Sequence, residues 1–115
     1  MKYTITDADE NKLEDYEEED KNIMHLSVLD AEGNPQPSEN FKVCINLSED
    51  GLLALGKELI RLAHKRPKVG QHFHFDKIQK ENALMTLGVY LHPDSCEPIV
   101  SVDEFDKVSD IQSKL

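Results

Sequence analysis

No tryptophan occurs in these 115 residues, and there are only seven aromatics, three Tyr and four Phe. A core must therefore rest mainly on Leu, Ile and Val. The two cysteines, Cys44 and Cys96, lie far apart. They form neither a CxxC metal pair nor a disulfide framework, and a reducing cytoplasm is the expected compartment. Long apolar runs are missing too. The stretch Met1-Lys2-Tyr3-Thr4-Ile5-Thr6-Asp7 lacks the apolar segment of a signal peptide, and no segment reaches membrane-spanning length. Bases are scarce, 13 against 23 acids, for a net charge of −10. Nucleic-acid phosphates and anionic membrane surfaces repel such a chain, so neither is expected as a partner. A basic protein or a cation fits better. There is no G-x-S-x-G elbow, P-loop or G-x-G-x-x-G motif. No catalytic residue and no cofactor is expected, and the chain does not read as an enzyme.

What is present reads as one domain over residues 1–115. Its clearest element is a helix. Ser48 is a good N-cap, and Glu49 and Asp50 place negative charge where the helix dipole favours it. Leu52, Leu55, Leu59 and Leu62 then form an apolar stripe, and Pro67 with Gly70 marks the end. Strand-like alternation appears at Met24/Leu26/Val28, Phe41/Val43/Ile45/Leu47, Phe73/Phe75 and Met85/Leu87/Val89/Leu91. Tyr3/Ile5 and Ile99–Val102 suggest short outer strands. Residues 30–38 read as a wide hairpin loop, and Phe105, Val108 and Ile111 have the spacing of a short terminal helix. The expected class is α+β: a mainly antiparallel sheet of five to six strands with one amphipathic helix packed on one face.

Nine acids and one lysine lie among the fourteen positions 7–20, and residues 1–22 carry −6 of the total charge. Such a run repels itself, so an acidic, flexible loop over 7–21 is expected. Asp15, Tyr16, Glu17, Glu18, Glu19 and Asp20 form its densest part. The carboxylates suit lysines and arginines of a partner, and Tyr16 suits an apolar anchor. Tyr90 is a second candidate anchor, and Asp103, Glu104 and Asp106 extend the acidic surface. A solvated loop that merely keeps the chain soluble is the plainer alternative. His72 and His74 alternate with Phe73 and Phe75, so both fall on one face, and His92 and Asp94 on a neighbouring strand are the residues that could join them. Zinc needs three or four ligands in fixed geometry, which this spacing does not supply. The histidines read as wet-face partners of core phenylalanines, and no metal site is expected.

The string Leu47-Ser48-Glu49-Asp50-Gly51-Leu52-Leu53-Ala54-Leu55, a helix ending near Arg61-Leu62-Ala63, and Gly70-Gln71-His72-Phe73-His74-Phe75-Asp76 resembles the immunity protein 32 family. Those proteins accompany polymorphic or contact-dependent bacterial toxins. The resemblance covers about a quarter of the chain and leaves out the acidic run. It implies a cytoplasmic protein that binds and neutralises a cognate toxin domain; the acidity adds that the toxin is basic, a nuclease, and the expected mode is to cover its active site or substrate groove. It assigns no role to His72, His74 or Asp76. Two rivals stand beside this reading: an acidic adaptor or assembly protein, and a small metal-dependent enzyme using His72 and His74.

Overall fold

A computed structural model describes residues 2–3, 16–17 and 20–115. Its elements run β1 (Lys2–Tyr3), β2 (Tyr16–Glu17), β3 (Val28–Leu29), β4 (Pro35–Gln36), α1 (Glu49–His64), β5 (His72–His74), β6 (Ile99–Ser101) and α2 (Val108–Gln112). The contacts divide the chain into two compact units, 1–19 with 47–104 and 20–46 with 105–115.

In the first unit, α1 forms for the reasons its sequence suggests. The Ser48 hydroxyl accepts the Gly51 N–H at 3.0 Å, while Glu49 and Asp50 sit in the first turn and Arg61 and His64 in the last. After the cap residue Lys65, Arg66 turns to φ +50° and Pro67 ends the helix. The chain then enters β5, which pairs antiparallel with β6 as His72↔Ser101, Phe73↔Val100 and His74↔Ile99. Two more backbone bonds lengthen this ribbon, Gly70 N–H to Val102 C=O at 2.8 Å and Val102 N–H to Gln71 C=O at 2.9 Å. Phe73 and Val100 turn inward and are half-buried, and Phe75 is buried at 8% exposure.

The helix is seated by a turn. Thr86 and Val89 exchange both backbone hydrogen bonds, at 2.9 and 3.1 Å. The two residues between them, Leu87 and Gly88, have φ of +48° and +82°, the mirror-image turn that suits a tight hairpin. Gly88 lies so close to α1 that a Cβ there would fall 2.9 Å from the Ala54 carbonyl oxygen. Only glycine satisfies both the dihedral and the approach.

In the second unit, β3 and β4 pair as Val28↔Gln36 and Leu29↔Pro35. Asp30 organises the connection. Its carboxylate accepts the N–H groups of Glu32 (3.0 Å) and Asn34 (2.9 Å), and Gln36 Nε2 reaches it at 3.2 Å. Gly33 takes φ +87° at the bend. Beside α2, the Val108 N–H donates to the Asp20 carbonyl at 2.9 Å.

These observations correct the expected architecture. The α and β elements are there, but the strands form separate two-stranded ladders, β1–β2, β3–β4 and β5–β6, and not one sheet of five to six strands. Residues 41–47 form no strand: Phe41, Val43 and Ile45 are exposed despite their alternation. Alternation only describes a side-chain pattern, and a strand also needs a ladder partner for its backbone. Residues 85–91 are broken by the Leu87-Gly88 turn. The expected wide loop at 30–38 instead contains its own hairpin, because the Asp30 bonds close the chain earlier. Nor does the helix lie on a sheet face with its whole stripe covered: Leu55 and Leu62 are half-buried, but Leu52 is 60% exposed. Tyr16–Glu17 is paired strand, not loop, while Ile5 and the acids Asp7, Asp9, Glu10, Glu14, Asp15, Glu18 and Glu19 fall outside the described residues. The terminal helix forms at Val108–Gln112.

Candidate binding surfaces

Three groups of residues bear on function. The first is the acidic and aromatic set. Tyr16 and Glu17 form β2, paired with Tyr3 and Lys2. Tyr90 follows the helix-seating turn and is exposed. Asp103 and Glu104 follow β6 and are exposed, with Asp103 Oδ1 accepting the Glu104 N–H at 2.8 Å. In the second unit, the bond from Val108 to Asp20 brings the end of the acidic run beside the segment that carries Asp106. Asp106 is exposed and stands 3.7 Å from Lys114 Nζ, a surface pair worth about 0–1 kcal/mol. Its charge therefore remains open to a partner.

The second group is the histidine pair. Strand alternation places His72 and His74 on the exposed side of β5, with ring centroids 5.0 Å apart and planes at 77°. His72 Nδ1 lies 3.2 Å from the Gly70 carbonyl oxygen. His92 and Asp94 do not sit on a neighbouring strand. They share a turn in which the Asp94 N–H donates to His92 Nδ1 at 3.0 Å. Among the described residues, no three His, Cys, Asp or Glu side chains gather into a metal-binding group.

The third is an open cavity of about 440 Å³ beside β5, lined by His74, Phe75, Asp76, Lys77, Gln79, Asn82, Leu84 and Glu97. Sequence reasoning singled out only its β5 side. The Gln79–Asn82 turn, closed by hydrogen bonds of 2.7 and 3.2 Å, supplies further lining. Glu97 arrives from the loop before β6, and no sequence spacing relates it to His74. Cys44 and Cys96 are both free and exposed. No helix among the described residues is long and apolar enough to cross a membrane. Comparison with known proteins finds no matching family model, curated protein or solved structure.

Proposed function

We propose that this chain is a non-catalytic binding protein that captures and neutralises a basic protein, a cognate toxin domain. The observation that carries the reading is the charge of −10, combined with carboxylates that remain in solvent at Asp20, Asp103, Glu104 and Asp106. Exposed carboxylates focus a negative field that attracts a basic surface and speeds encounter. Affinity beyond encounter needs apolar area, and the exposed ring of Tyr90 offers it. Two free, exposed thiols suit a reducing cytoplasm. The toxin assignment rests on the resemblance of residues 47–76 to immunity protein 32.

The test is surface-bound kinetics against the product of the neighbouring gene at two salt concentrations. Neutralising Glu17, Glu18, Glu19 and Asp20 together should slow association by roughly 10- to 1000-fold, with a smaller effect at high salt. Tyr90→Ala should instead raise the dissociation rate. Tight binding that leaves the partner's activity intact points to an adaptor. An association rate indifferent to both charge and salt overturns the electrostatic reading.

A further inference from the structure

We propose that His72 and His74 form an open, two-imidazole chelate for a borderline divalent transition metal, with Cu²⁺ bound most tightly. Three observations converge on it. The first is separation. Imidazole nitrogens sit about 2.0–2.1 Å from such an ion, so two rings sharing one ion at angles of about 90–110° have centroids about 4.5–5.3 Å apart. The two rings are 5.0 Å apart.

The second is the protonation pattern. A carbonyl oxygen only accepts, so the 3.2 Å contact with Gly70 makes His72 Nδ1 the donor. In the neutral ring Nε2 then keeps its lone pair for a metal. A ligand histidine held through its other nitrogen by a backbone carbonyl is the usual supporting arrangement at metal sites. His92 is the contrast: its Nδ1 already accepts the Asp94 N–H.

The third is the setting. Both residues belong to a strand fixed by the β5–β6 ladder and its two additional backbone bonds, so their backbones are held on one face two residues apart. His74 also lines the cavity that Asp76 and Glu97 share. Their carboxylates favour a cation there, and Lys77 opposes them in part. With no third ligand in reach among the described residues, water completes the coordination. Two nitrogens and several oxygens form a tetragonal set suited to Cu²⁺, then Ni²⁺ and Zn²⁺, and not a closed structural zinc site.

The experiment titrates Cu²⁺ into protein carrying Cys44→Ser and Cys96→Ser, which removes the competing thiols, and follows calorimetry and paramagnetic resonance. One ion per chain with two nitrogen ligands is expected. His72→Ala and His74→Ala should each weaken binding by at least about tenfold, the lower end of what even supporting residues contribute. His92→Ala should leave it unchanged, and excess Mg²⁺ should not compete. Circular dichroism melts check that the variants fold, with His72→Gln and His74→Gln as milder replacements. Absence of saturable binding overturns the proposal. So does affinity that survives both single variants or falls with His92→Ala.

Discussion

In the unit formed by 1–19 and 47–104, a capped helix of 16 residues leans on the Gly88 turn, and the Phe75 ring just after β5 is buried. In the unit formed by 20–46 and 105–115, no residue is buried, and one carboxylate, Asp30, gathers the hairpin through hydrogen bonds. The first relies on shape, because its close approach and its buried ring tolerate little change of volume. The second relies on local polar bonds at an exposed carboxylate, where water competes for every donor. Mutational sensitivity should therefore be concentrated in the first unit, and pH sensitivity in the second.

The contrast is tested most severely at Phe75. Truncation to alanine removes the buried ring and should cost about 3–5 kcal/mol in urea unfolding followed by helix ellipticity. A loss under about 1 kcal/mol would erase the distinction between the units. Gly88→Ala comes next, at about 2–3 kcal/mol, because the new methyl meets the Ala54 carbonyl and the residue must keep a positive φ. Alanine at the neighbouring Gly56, where an added Cβ meets nothing within 4 Å, is the control and should stabilise the helix slightly. Ser48→Ala should cost about 1 kcal/mol by leaving the Gly51 N–H without its acceptor. The smallest effect lies in the second unit. The Asn34 N–H holds the Asp30 carboxyl below its ordinary value, opposed by desolvation and helped by the Glu32 N–H. A depressed folded pKa contributes stability above the unfolded value of about 3.9, and that contribution is lost as pH falls through the folded value. The amide resonances of Glu32 and Asn34 should thus shift in acid below the ordinary aspartate range. Asp30→Asn should abolish that titration while leaving the α1 signal intact.

The helix and β5 of the first unit are legible in the sequence, whereas the turn at Leu87-Gly88 is not. The cap at Ser48, the early acids and the stop at Pro67 act within one helical turn, so neighbouring residues suffice to specify them. The pairing of Phe73 inward and His72 with His74 outward follows from the two-residue period of a strand. The second unit misled because its strongest pattern, Phe41/Val43/Ile45, carries no information about a ladder partner, whereas the short Asp30–Asn34 closure has no hydrophobic period at all. The same limit applies to the candidate sites. The acids and Tyr90 were visible as residue types, yet the cavity lining of Gln79, Asn82 and Glu97 was not, since a turn and a distant loop supply it.

By itself, then, the sequence determined the net charge, the helix and its ends, and the outward face of His72 and His74. These depend on composition or on residues within a turn of one another. Tertiary structure alone decided that the ladders stay separate, that Gly88 meets Ala54, that Asp20 bonds to Val108, and that the two imidazoles stand 5.0 Å apart. Each of these is a distance set by how the backbone turns in space, and a side-chain period leaves the choice of neighbour open.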